Sequence, residues 1–199
     1  GTDVSFGFDS AVTIATDAID RLHSTASAHQ RVMVIEVMGH KAGWIALHSG
    51  MAGGGDIILL PEIPFDIHRI GDAIINRLKK GKPYSIVVVA EGIPTIGGKK
   101  AAQYIAEEIE YETGFETRET VLGYIQRGGS PTAYDRNLAT RMGGHATELI
   151  AQGMFGRMVA LKGNAIESVP LSEVASKLKL VTEDHDLVVQ GRRMGICFG

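Results

Sequence analysis

The 199-residue chain holds one cysteine, Cys197, so it forms no internal disulfide and no cysteine-built metal cage. Aromatic residues are scarce at 6%, with a single Trp. No apolar run approaches the ~20 residues that span a bilayer; the longest aliphatic stretch is Ile86 to Ala90. Neither sign of charge dominates, since 20 Lys and Arg stand against 23 Asp and Glu for a net charge of −3. That balance argues against a surface built for nucleic acid or anionic membrane, while leaving room for a local anion site. The opening Gly-Thr-Asp-Val lacks the basic-then-apolar order of a secretory signal. With the lone cysteine, this gives the expectation of a reducing, cytoplasmic setting. Several catalytic signatures are missing as well. The seven His never form His-Glu-x-x-His, and there is no Gly-x-Ser-x-Gly elbow, no Gly-x-x-x-x-Gly-Lys-Ser/Thr loop and no Gly-x-Gly-x-x-Gly after a strand.

What is present is an ordinary globular balance, 44% hydrophobic and 22% charged, with enough chain for one domain or two small ones. Glycine is abundant, 25 residues against an average of ~7%, and it clusters at 53–55, 97–98, 128–129 and 143–144, where elements end. Phe8, Val12, Ala15, Ile19 and Leu22 recur at helical spacing, and the polar stretch from Ser24 to Gln30 is expected to end that helix. Residues 32–37 read as a strand buried on both faces. Helices are expected over 42–51, 67–78 and 101–111, strands over 57–60 and 86–90, and an extended run over 117–124. This alternation predicts an α/β, Rossmann-like fold, a mostly parallel sheet with helices on both faces. After Tyr124 the rhythm changes. Ser130-Pro131 offers an N-cap and a first-turn proline for a helix to about Ala151. A strand over 158–161 and a polar, mixed segment follow.

Ligands of open α/β sheets bind beyond the carboxyl ends of the strands. Three polar turns fall there: Met38-Gly39-His40, Glu91-Gly92 and Tyr124-Ile125-Gln126-Arg127. The first precedes a helix whose free amides would favour an anion. Glu91 closes an apolar run, where a carboxylate can accept from sugar hydroxyls; a solvated strand end or a structural ion pair explains it equally well. Arg31, Arg118 and Arg127 offer planar donor forks suited to phosphate oxygens. The residues by themselves support a sugar-phosphate or organic-phosphate site and stop there.

Taken together, His29-Gln30-Arg31, Glu36 to Gly39, Ala90-Glu91, Glu116-Thr117-Arg118 and the run Leu122-Gly-Tyr-Ile-Gln-Arg-Gly-Gly-Ser-Pro131 resemble the 6-phosphofructokinase family, in order and across nearly the whole chain. The tail Met194 to Gly199 is similar to the end of the long bacterial type, which uses ATP or pyrophosphate. The resemblance implies phosphoryl transfer to the 1-hydroxyl of fructose 6-phosphate in glycolysis, with Mg2+ and the donor held mainly by an upstream part. It implies that Met38, Gly39 and His40 lie against the sugar phosphate and that Glu91 accepts from the sugar. It also implies that Tyr124, Ile125, Gln126 and Arg127 close over the fructose. Arg118 matches a ligand of the 6-phosphate, and Arg31 one that reaches that phosphate from a neighbouring subunit, which requires a homo-oligomer, dimer or tetramer. His40 stands where many members have Arg, and Tyr124 where many have His.

The family's catalytic Asp belongs to a Thr-x-Asp-Asn-Asp segment expected just before Gly1, and Asp3 lies past it, so the chain alone is expected to be inactive. Residues 1–126 with 174–199 are expected to form the fructose 6-phosphate-binding domain. Residues 127–173 are expected to be a crossover segment that packs on a donor domain and otherwise exposes apolar surface. Gly54, Gly55, Asp56, Lys80 and Lys82 match a nucleotide effector site of the short bacterial enzymes, with His23 in place of a basic Arg. A non-catalytic sugar-phosphate-binding or regulatory chain is the other reading.

Overall fold

A computed structural model describes all residues from Gly1 to Gly199. In chain order the elements are α1 (Phe8–His29), β1 (Val32–Val37), α2 (Trp44–Ala52), β2 (Ile57–Leu59), α3 (Ile67–Lys79), β3 (Ser85–Ala90), α4 (Ala101–Thr113) and β4 (Thr117–Val121). A 3-10 turn (Gly123–Arg127), α5 (Ala133–Ala151), β5 (Arg157–Lys162), β6 (Ala165–Pro170), α6 (Leu171–Val174) and α7 (Asp186–Arg193) complete the chain. They divide into two compact units, 12–128 with 180–199, and 1–11 with 129–179.

The larger unit is a four-stranded parallel sheet in the order β2-β3-β1-β4. β1 and β3 are buried at every position, as expected of central strands covered on both faces. Because strand side chains alternate, Met33, Ile35 and Val37 pack on one face with Ile19, Leu47 and Val88. Val32 and Val34 pack on the other with Ile70, Ile105 and Ile109. The C-terminal return closes the β2 edge, where Cys197 pairs with Ile57 and its carbonyl accepts from the amide of Ile58 at 2.9 Å.

The smaller unit joins the β5–β6 antiparallel hairpin to α5 through Leu138, Met142 and Leu161. The chain start, residues 1–11, belongs to this unit. The reason is polar pairing. The Asp3 amide donates to the Leu161 carbonyl at 2.9 Å, the Leu161 amide to Thr2 Oγ1 at 2.9 Å, and the Ser10 amide and hydroxyl to Asp135 Oδ2 at 2.8 and 2.6 Å. The unit reaches to Lys179. Ile150, Met154 and Phe155 stand exposed on it.

Four local expectations change. α1 continues to His29 because Ala26 is fully buried and the Ser24 hydroxyl, which could have capped, donates to the Arg21 carbonyl. Leu122 to Tyr124 turns instead of extending, with Gly123 at φ +50°. α5 is capped by Thr132, whose side chain accepts from the Asp135 amide, and not by Ser130. The segment after Leu161 holds a second hairpin strand and α7, short elements of six and eight residues rich in polar side chains.

α7 meets α2 through rings: Trp44 lies edge-on to His185 with centroids 5.1 Å apart. Burial, and then the nearby His185, push the His48 pKa below the usual histidine value. A histidine depressed in the folded state stabilises fully above its unfolded pKa, about 6.5. That contribution is lost as pH falls from the unfolded value through the folded one, because across that interval the unfolded chain takes up the proton and the folded chain resists it. The melting temperature is therefore expected to drop between pH 7.5 and 5.5, and to drop less in a His48→Gln variant. Equal drops in both chains would remove His48 as the cause.

Candidate functional site

In a parallel sheet all carboxyl ends share one edge. Here that edge carries Met38–Gly43 after β1, Glu91-Gly92 after β3 and Leu122–Arg127 after β4. Val37 pairs with Ala90, so the residues that follow them emerge side by side. Glu91 uses this adjacency. Its Oε1 accepts from the amides of Gly39 at 3.1 Å and His40 at 2.6 Å, while Oε2 of this exposed residue accepts from no group of the chain. Two amides on one oxygen hold the carboxylate in place and leave the other oxygen to a donor from outside.

The backbone follows from that contact. His40 adopts φ +54°, a conformation unusual for a non-glycine residue, and its amide is thereby part of the grip on Glu91. Gly92 lies against the same turn. A Cβ on residue 92 would stand 2.0 Å from the His40 carbonyl oxygen and 3.2 Å from Pro61 Cγ.

The third turn closes beside β1, where the Leu122 amide donates to the Glu36 carbonyl at 3.1 Å. Tyr124 and Ile125 are 80% and 69% exposed, and the Arg127 guanidinium sits 5.7 Å from the Tyr124 ring centroid, a cation–π arrangement. Gln126 differs from its neighbours. It is buried, and its Nε2 donates to the Gly123 carbonyl at 3.3 Å. It braces the turn from inside, while Tyr124 and Arg127 face solvent.

Arg31 and Arg118 are not brought to this edge. Arg31 Nε donates to Glu116 Oε2 at 2.7 Å and Arg118 to Glu116 Oε1 at 2.5 Å. Glu116 immediately precedes β4, so all three gather at the amino edge of the sheet, about 17 to 23 Å below Glu91 by register and strand rise. The hydrogen bond from Arg31, with the charge of Arg118 adding to it, holds the Glu116 carboxyl below the usual glutamate range.

The effector candidates lie at the amino edge too. Asp56 is committed to the fold: Oδ1 pairs with Arg77 at 2.7 Å and Oδ2 accepts from the Ile86 amide at 2.9 Å. Burial raises its pKa against these two partners. His23 is 2.7 Å from the Gly53 carbonyl, next to Gly54 and Gly55, and Lys80 and Lys82 are exposed in the turn before β3.

At the start of α2, where free amides were expected to favour an anion, the amide of the N-cap residue Gly43 is taken by Glu62. Sequence reasoning missed Glu62, and it named Gly92 and Glu116 only as parts of motifs, without a role. Glu62 carried the same signal as Glu91, a carboxylate just past a strand end. No group of three or more His, Cys, Asp or Glu side chains is placed to hold a metal ion.

A profile of the Phosphofructokinase family matches residues 1–150. The chain belongs to the phosphofructokinase family. It is 82% identical over all its 199 residues to ATP-dependent 6-phosphofructokinase 3 of Bacteroides thetaiotaomicron. It is 54% identical over its full length to the ATP-dependent 6-phosphofructokinase of Spirochaeta thermophila. In both cases it spans 59% of the relative's length. The solved phosphofructokinase of Saccharomyces cerevisiae superposes with a TM-score of 0.79 at 32% identity, over 87% of this chain and 24% of that one. The pyrophosphate-dependent phosphofructokinase of Marinobacter aquaeolei gives 0.76 at 25% identity, over 96% and 51%. The mostly parallel α/β fold is thus that of phosphofructokinases, and no helix is long and apolar enough to cross a membrane.

The contact of Gly92 with the His40 carbonyl makes a direct prediction. A Gly92→Ala variant must move one turn away from the other, at a cost of about 1–3 kcal/mol, and should lose protection of the His40 amide in hydrogen exchange. Unchanged denaturation and exchange would show that the two turns are not in tight contact.

Proposed function

We propose that the chain forms the fructose 6-phosphate side of an ATP-dependent 6-phosphofructokinase. In that reaction the 1-hydroxyl oxygen of fructose 6-phosphate bonds to the γ-phosphorus of ATP. The bond from that phosphorus to the bridging oxygen breaks, leaving fructose 1,6-bisphosphate, ADP and a proton. The observation that carries the reading is Glu91, with Oε1 saturated by two amides and Oε2 open at the carboxyl edge. Such an oxygen suits the donor hydroxyls of a sugar. Met38, Gly39 and His40 then line the sugar phosphate, and Tyr124, Ile125 and Arg127 close over the fructose, with Gln126 supporting them from within. The relatives named as ATP-dependent, at 54% and 82% identity, favour ATP over pyrophosphate. The same reading makes residues 12–128 with 180–199 the sugar-phosphate domain and the rest the crossover part, in a cytoplasmic glycolytic enzyme.

Arg31 and Arg118 share one carboxylate at the opposite edge. We assign both to the 6-phosphate bound by another copy, which makes the working unit at least a dimer. Lys80 and Lys82, with Gly54 and Gly55, are the part of the effector site that stays open to a ligand, Asp56 being tied to Arg77.

Calorimetric titration tests this. The chain is expected to bind fructose 6-phosphate saturably and in preference to inorganic phosphate. Glu91→Ala should weaken binding about 10- to 100-fold, the worth of a charge-assisted hydrogen bond, and Arg118→Ala should weaken it as well. Mixing the two variants should restore about a quarter of the sites, because half the two-fold dimers then contain one intact site. No recovery on mixing would put Arg118 in its own copy's site. No binding by the parent chain at millimolar ligand would remove the sugar-phosphate reading altogether.

A further inference from the structure

The turn from Met38 to Gly43 is gripped at its far end as well. α2 begins at Trp44 with Gly43 as N-cap and no side-chain cap of its own. The Gly43 amide donates instead to Glu62, 3.0 Å from Oε1 and 3.1 Å from Oε2. Oε1 also accepts from the amide of Val181, a buried residue at the start of the C-terminal return, at 3.0 Å. Gly43 makes room for this: a Cβ there would stand 2.9 Å from Glu62 Oε2 and 2.7 Å from Leu60 Cδ2. A carboxylate at the N-cap of a helix is favourable on charge grounds, and here the same carboxylate reaches a second segment 138 positions later in the chain.

Between the two grips the turn has little freedom. Glu91 holds the amides of residues 39 and 40, the Ala42 amide donates to the Gly39 carbonyl at 3.1 Å, and Glu62 holds Gly43. We propose that Glu62 is a positioning residue for the sugar-phosphate site, fixing the Met38–Gly43 turn at its helix end and coupling it to the C-terminal return at Val181. The role in binding rests on the function proposed above; the coupling does not. Loss of the carboxylate would free the helix end of the turn, and with it the backbone that aims Gly39 and His40 at Glu91.

The chain supplies its own reporter, since its only Trp is Trp44, next to Gly43 and edge-on to His185 of the C-terminal return. With the parent chain, fructose 6-phosphate should change Trp44 fluorescence and give an affinity. Glu62→Ala should weaken that affinity about tenfold or more. Glu62→Gln, which keeps one acceptor oxygen within reach of both amides, should stay within about threefold of the parent. Hydrogen exchange without ligand is the second readout. Glu62→Ala should speed exchange at Gly39 and His40, which Glu62 does not touch, as well as at Gly43 and Val181. Faster exchange at Gly43 and Val181 alone, with residues 39 and 40 protected as in the parent, would overturn the proposal whether or not the sugar phosphate binds. If Glu62→Ala does not fold, the Gln variant decides: parent-like affinity and exchange support the acceptor role, and a loss as large as that of Glu91→Ala overturns it. Should the parent ignore fructose 6-phosphate while the four amides respond together, the coupling stands and the binding function falls.

Discussion

The parallel register between β1 and β3 governs the rest of the molecule. Val37 and Ala90 are partners across it, so the first residues beyond each strand leave the sheet at the same height. Only in that register can Glu91 Oε1 reach two amides of the turn after β1. A slip of one residue would send every side chain of a strand to the opposite face, exchanging the Ile35 and Val34 sides of the core and carrying Glu91 away from its turn. The apolar packing on both faces makes such a slip costly, and through it the core holds the geometry of a polar site that it does not touch.

The turn so held is stiff because backbone amides, and not flexible side chains, make the contacts. Carboxylates from two further strand ends, Glu91 and Glu62, occupy the amides of residues 39, 40 and 43. Where a sequence reader sees a helix start open to a phosphate, the fold has already set its own carboxylate on the N-cap amide. What remains for a ligand is one carboxylate oxygen, the surface of the turn, and the exposed Tyr124–Arg127 pair. That inventory favours a hydroxyl-bearing ligand over a bare anion.

The sheet also keeps two arginines away from the site. Its carboxyl edge carries Glu91, Glu62 and Arg127, while its amino edge carries Arg31 and Arg118 with Glu116, and the half-buried Arg77–Asp56 pair. The strand length keeps the Arg31–Glu116–Arg118 group beyond the reach of any side chain at the other edge. Under the proposed function, a phosphate that needs those guanidiniums must be offered by another copy. The dimer is then a consequence of strand length and of which edge each charge occupies.

Much of this was legible in the residues. Apolar runs at 32–37 and 86–90 located the buried strands. The period of Ile67–Lys79 located an amphipathic helix, and the polar turns after β1, β3 and β4 pointed to the carboxyl edge, because periodicity and burial are local consequences of which residues are apolar. The end of α1, the cap of α5 and the β5–β6 hairpin were not legible. They depend on partners far along the chain: Ala26 on the sheet's helical cover, Asp135 on Ser10, and Leu161 on Thr2 and Asp3. The same divide runs through the site. Composition and spacing named Glu91, the Met38–His40 turn and the arginines. Only the folded chain decided that Glu91 spends one oxygen on its neighbours, that Gln126 points inward, that Glu62 takes the helix amide, and that Arg118 stands beside Arg31. A hydrogen bond is a contact in space, and the pattern of a sequence records its donors and acceptors without their distances.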